Sequence, residues 1–139
     1  MTLSTIDPKG GPCAAPVYFV AREHGLSEGR SQWRLYFFSV ATSQHAQNIT
    51  RDGRAAAAIY PECQGWQDIR GLQLRGVVRP VAKGSDWELA WQVYCDKFPF
   101  VAQLKPIVAR NELYVFALEW IRLVDNRRGF GFKQEWTFP

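Results

Sequence analysis

The sequence predicts a mainly β domain with a few short helices attached, an antiparallel barrel or curled sheet rather than a Rossmann layer. Three observations carry this. Short stretches rich in β-branched and aromatic residues recur between turn-forming Gly, Pro, Asn and Asp. Helical periodicity is confined to a few brief segments. No glycine-rich phosphate loop follows a strand, as a parallel nucleotide-binding sheet would require.

The elements follow in order. Thr2–Asp7 is strand-like, and Asp7-Pro8-Lys9-Gly10-Gly11-Pro12 turns the chain, with Pro fixing φ and Gly supplying φ > 0. Cys13–Val20 is the next strand, and His24–Ser31 a polar loop. Trp33–Val40 is a third strand. Ser43 is placed to cap a helix running to about Arg51, with Ala46 and Ile49 on one side. Ala55–Tyr60 is a fourth strand despite four alanines, which are poor β formers and leave room for something to approach the backbone.

After a loop over Pro61–Asp68, the segment Ile69–Arg79 alternates: Leu72, Leu74 and Val78 share one face, and Gly71, Gln73, Arg75, Val77 and Arg79 the other. Gly71 and Gly76 within it signal a bulge or a close backbone approach. Ser85-Asp86-Trp87-Glu88 reads as a capping box. Trp87, Ala90, Trp91, Tyr94 and Phe98 then form one apolar stripe that ends at Pro99, and Phe100–Leu104 is a short second helix. Glu112–Asp125 is a central strand, apolar on both faces, and Asp125–Gly129 a turn. Phe130–Phe138 is an aromatic last strand.

At 139 residues with 47% hydrophobic and 22% charged residues, the chain is expected to be a single domain, 1–139, with its own core. No apolar run reaches the ~20 residues of a membrane span, and the chain opens without a basic and apolar leader pattern, so a cytoplasmic protein with no membrane partner is expected. A formal charge of +4 with scattered Lys and Arg gives no nucleic-acid footprint. Cys13, Cys63 and Cys95 show no metal spacing, and two distant histidines add none, so three reduced thiols and no metal are expected. Six Trp, five Tyr and nine Phe either fill a core or dimer seam, or flank a planar ligand.

Three segments carry candidate chemistry. Ser39, Thr42 and Ser43, with His45, sit where a strand gives way to a helix N-terminus, so their hydroxyls and the free N–H groups suit a phosphate. The plain alternative is that Thr42 or Ser43 only caps the helix. Arg70 and Arg75 on a strand suit either phosphate or a solvated face. Asp125–Phe132 reads as a tight turn, with Gly-Phe repeats able to lay rings against a flat edge. No GxSxG or oriented Cys–His pair exists, so no nucleophile is assigned.

Leu35-Tyr36-Phe37-Phe38-Ser39, Thr42-Ser43-Gln44-His45-Ala46-Gln47-Asn48, Ile69-Arg70-Gly71-Leu72-Gln73-Leu74-Arg75-Gly76, Arg79 with the helix to Phe98-Pro99, and Asp125–Gly131 share an order and spacing. Together they resemble the FMN-binding split-barrel superfamily around pyridoxamine 5'-phosphate oxidase, and its small uncharacterised YhbP-like branch. The resemblance implies a split β-barrel of six to seven antiparallel strands with two or three short helices, a homodimer, and FMN at the dimer interface. It implies a flavin oxidoreductase acting on a small molecule, or, as the alternative, a non-catalytic dimeric module for flavin or another planar ligand. Carried over, the cofactor-binding positions are Phe38, Ser39, Ser43, Gln44 and His45 at the phosphate and ribityl chain, and Ala15, Pro16 and Val17 along the isoalloxazine ring. Arg70 and Gly71 approach near the phosphate side or from the other subunit, with Trp66 and Arg128 closing the site. No residue is implied as catalytic, because FMN carries the electron chemistry.

Two departures stand out. The superfamily's usual Arg-Lys phosphate clamp is replaced by Gln44-His45. FMN phosphate carries about two negative charges near neutral pH, by analogy with phosphorylated side chains. Each lost charge-assisted hydrogen bond costs about 1.5–3 kcal/mol, so two weaken FMN by roughly two to four decades unless His45 is charged or Arg70 compensates. The chain also starts at its first strand where related branches often begin with a helix, so one wall or lid is expected to be missing.

Overall fold

The computed structural model describes residues 1–26, 29–108 and 110–138. The strands are β1 (Thr2–Ile6), β2 (Pro12–Pro16), β3 (Val20–Gly25), β4 (Ser31–Ser39), β5 (Arg54–Ile59), β6 (Arg70–Pro80), β7 (Glu112–Asp125) and β8 (Lys133–Thr137). They form one antiparallel sheet in the order β2-β1-β5-β6-β7-β4-β3, with β8 added on β7. The helices are α1 (Gln44–Arg51), α2 (Ser85–Lys97), α3 (Phe100–Gln103) and α4 (Lys105–Val108), and Trp66–Asp68 and Asn126–Arg128 make single 3-10 turns. None of the described helices is long and apolar enough to cross a membrane.

Alternation along the strands divides the core in two. Leu35 and Phe37 of β4 and Tyr114, Phe116 and Leu118 of β7 face the barrel interior, where they meet Leu3, Ala57, Leu74 and Val78. Ala46 and Ile49 of α1 join this cluster and so plug one end of the barrel. The intervening Tyr36, Leu113 and Val115 face outward and are covered by Ala90 and Tyr94 of α2. The double burial of β7 over its first half is what the apolar run from Leu113 to Leu118 required. The α2 stripe packs as expected: Phe38 meets the rings of Trp87, Trp91 and Tyr94 edge-on at 5.1–6.2 Å.

Gly76 marks a β-bulge. The register of β6 against β7 shifts between Arg75 and Gly76, and a Cβ on Gly76 would run into the backbone carbonyl of Ala117. Gly71 lets β6 approach β5, since a Cβ there would sit 2.7 Å from the Ile59 carbonyl oxygen.

The expected mainly β split barrel is borne out, as an antiparallel sheet of eight strands with four α-helices among the described residues. Several finer expectations are corrected. The Cys13–Val20 strand divides: Pro16 pairs with Thr2 at the end of β1, the chain crosses over, and Val20 opens β3. Part of the expected His24–Ser31 loop belongs to β3 and β4; Ser27 and Glu28 lie outside the described residues. β3 reads as polar because it is an edge strand that buries only Val20. The capping box at Ser85 does not form: Gly84 is the N-cap, no side chain caps the helix, and Ser85 lies in its first turn. The last strand is shorter than expected and starts at Lys133.

Candidate functional site

The end of β4 and the start of α1 bring three polar side chains together. Ser39 Oγ lies 2.7 Å from His45 Nε2 and 3.1 Å from Ser43 Oγ, and Ser43 Oγ lies 3.3 Å from the same ring nitrogen. Ser43 is also the N-cap, its hydroxyl accepting from the Ala46 N–H at 3.3 Å. Capping and convergence on His45 are therefore combined in one side chain, and the two readings of this segment do not exclude each other.

The platform is anchored in the barrel core. Asn48 is 1% exposed and donates from Nδ2 to Thr5 Oγ1 of β1 at 3.0 Å, while Ala46 and Ile49 sit in the barrel core. Gln44 is exposed and lies along its own helix, donating to Asn48 Oδ1 at 3.0 Å. Burial lowers the His45 pKa from 6.5, which favours the neutral ring near neutral pH. Among the described residues no Lys or Arg is bonded to the trio, and no carboxylate orients the other His45 nitrogen. Without that third member the Ser–His contacts lack the orientation of a hydrolytic triad. What remains is a set of reorientable neutral donors at a helix N-terminus, chemistry that suits a phosphate oxyanion but supplies little fixed charge.

The other expected residues are placed differently. Phe38 is adjacent to Ser39, so its side chain points to the opposite face and packs under α2. Ala15 and Pro16 lie on edge strand β2 beside β1; Val17 lies just beyond it, its N–H donating to the Met1 carbonyl. Arg70 and Gly71 are far from the trio. Ser39 pairs with Glu112 at the start of β7 and Arg70 with Asp125 at its end. The 14 residues of β7, at about 3.3 Å each, put roughly 40 Å of strand between them. Within one chain, Arg70 and the trio thus stand at opposite ends of β7. Trp66 and Phe130 meet edge-on at 5.6 Å near Arg70, held by buried Asn126, which donates to the Trp66 carbonyl at 2.8 Å. Beside them, Asp125 is held down at about 2 by its ion pair with Arg127.

Cavities also lie elsewhere. Ala56 and Ala58 face outward and floor a groove of about 470 Å³ with Ser4, Arg75 and Trp120, where the Arg75 guanidinium stacks 4.3 Å from the indole centroid. Larger side chains at the two alanines would fill it, which accounts for their use in a strand. Another, about 500 Å³, opens at the barrel end away from α1 and is lined by apolar side chains including Trp33, Leu72, Trp136 and Phe138. The sequence's only sign of it was the aromatic excess, because its walls come from strands distant in the chain.

The family model for pyridoxamine 5'-phosphate oxidase matches residues 1–125. A UPF0306 protein of Serratia proteamaculans is 27% identical over 106 residues, 76% of this chain and 69% of its own length. The UPF0306 protein YhbP of Escherichia coli is 29% identical over 102 residues, 73% of this chain and 65% of its own. This chain thus spans about two thirds of those relatives. A heme binding protein from Mycobacterium smegmatis superposes with a TM-score of 0.72 at 22% identity, over 98% of this chain and 51% of that one.

Proposed function

This chain belongs to the pyridoxamine 5'-phosphate oxidase family, and from that premise we propose that it binds FMN as a homodimer and acts as an oxidoreductase on a small conjugated molecule. The observation that carries the reading is the convergence of Ser39, Ser43 and His45 on the N-terminus of α1. The donor set fits a phosphate, so these residues would hold that group, their hydroxyls turning from one another to the oxyanion. Ala15, Pro16 and Val17 would offer backbone groups to the flat ring, and Phe38 backbone only, since its side chain is committed to α2. Gln44 would first have to leave Asn48. Arg70 and Gly71 would reach the ligand only as the partner's Arg70 and the partner's Gly71. When bound, FMN supplies the hydride or electron transfer; the protein's part is binding and orientation.

The neutral clamp makes His45 the adjustable charge. A bound phosphate dianion favours the imidazolium, which raises a pKa that burial lowers in the free protein. Affinity for FMN therefore falls as pH rises from 6.5 to 8. The test is titration of dialysed protein with FMN at both pH values, followed by flavin fluorescence and visible absorption, then addition of NAD(P)H. Saturable micromolar binding, tighter at pH 6.5, with bleaching of the bound flavin, supports the reading. No binding at millimolar FMN overturns it.

The same shortage of charge favours a second reading, a module that holds flavin or another planar ligand such as haem without turnover. A heme binding protein among the structural neighbours is consistent with that reading. Flavin that binds yet is not reduced by any donor selects it.

A further inference from the structure

We propose that the open end of the barrel is a second binding site, for an amphipathic carboxylate whose apolar chain enters the cavity and whose acid group meets Lys97. This inference is independent of the flavin reading, because none of the phosphate-site residues lines the cavity.

The cavity of about 500 Å³ falls within the size range of small-molecule sites. Its floor is made by Leu35, Leu74 and Leu118, each at most 3% exposed, so it reaches the barrel core. Its walls include Trp33 and Trp136, each 40% exposed. Apart from two indole N–H groups the lining side chains are apolar, so an apolar chain gains more from this recess than water does.

Charge selects the kind of occupant. Phe19 lines the cavity, and Lys97 Nζ stands 4.3 Å from its ring centroid and 2.9 Å from its carbonyl oxygen. Among the described residues Lys97 has no carboxylate partner. The nearby acids are engaged: Glu135 of β8 accepts from Arg122 and Trp120, and Glu23, opposite Trp33, accepts from the Ser31 hydroxyl. An ammonium held by the Phe19 carbonyl, with no carboxylate partner among the described residues, recognises at the edge of an apolar recess a chain-like acid rather than a neutral lipid or an amine.

The test is calorimetric titration of the full chain with dodecanoate and with dodecanol, below their aggregation concentrations, with tryptophan emission followed in parallel. The expected result is one dodecanoate per chain with Kd at or below ~0.1 mM. Lys97→Met, which keeps the stem on Phe19, should weaken dodecanoate about tenfold and leave dodecanol unchanged, while Lys97→Arg restores the acid's advantage. Ala21→Trp, on the exposed edge of the lining, should abolish both without altering FMN titration. Equal loss of acid and alcohol in Lys97→Met, unsaturable binding, or wild-type binding by a folded Ala21→Trp overturns the proposal. So does sedimentation showing that self-association of the chain, rather than ligand, covers this end.

Discussion

Replacing Gly76 by Ala tests whether the bulge holds the barrel together. The new methyl would overlap the Ala117 carbonyl oxygen and sit 3.0 Å from the Ala117 carbonyl carbon and 3.1 Å from the Glu119 nitrogen. All three are backbone atoms, so no side chain can swing aside, and relief requires β6 and β7 to part at the bulge. Overpacking of ordinary sites costs about 1–3 kcal/mol. Here one or two ladder hydrogen bonds, worth ~1 kcal/mol each, go with it. The sum is about 2–5 kcal/mol, a large share of the 5–15 kcal/mol typical of a domain. Urea denaturation is the assay, with Gly25→Ala as the control. A Cβ on Gly25 meets nothing within 4 Å, so that substitution should be neutral or slightly stabilising. A Gly76→Ala protein within ~1 kcal/mol of wild type and with an unchanged denaturant slope refutes the packing argument.

Further outcomes follow from the α1 platform. Gln44→Arg should tighten FMN binding about ten- to a hundredfold and steepen its salt dependence; unchanged affinity would place the phosphate elsewhere. Thr5→Val leaves the buried Asn48 amide nitrogen without its partner and should cost about 1–3 kcal/mol in chemical denaturation, while Thr5→Ser should recover most of it. His45 has a folded pKa below its value of 6.5 in the unfolded chain, so below that pH the unfolded chain takes up the proton first. Its contribution is therefore fully present above pH 6.5 and lost as pH falls through the folded value. His45→Gln should flatten stability against pH over that window, and an unaltered profile would show that another group titrates there.

Much of this arrangement was legible where the governing interactions are local. Ser43 announced its cap because the helix start follows it directly. Leu72, Leu74 and Val78 announced an inward face by alternation, and Gly76 a bulge by interrupting it. The misreadings have non-local causes. Nothing near Pro16 shows that β1 runs out of partners there. Nothing near Val20 shows that the polar residues after it pair at a sheet edge. Ser85 has the capping pattern, yet Gly84 takes the cap position. Arg70 and Ser39 both belong to phosphate-like motifs, but the length of β7 holds them apart, and only the register reveals it. The barrel-end cavity was hidden for the same reason, since Trp33 and Trp136 stand at opposite ends of the sequence.

β8 has a consequence for how the molecule opens. All five of its residues are exposed, it pairs with one neighbour only, and its side-chain ties are Glu135 to Arg122 and Trp120. β7 meanwhile keeps β6 along one edge and β4 along the first half of the other. The strand can therefore detach as a unit while the rest of the sheet stays paired, so amides of Lys133–Thr137 should exchange with solvent through a sub-global opening far below the global unfolding free energy. Trp136 leaves with it. The wall of the apolar recess is thus a latch whose kinetics are separable from those of the fold, and an occupant behind it would register first as slowed exchange in this strand.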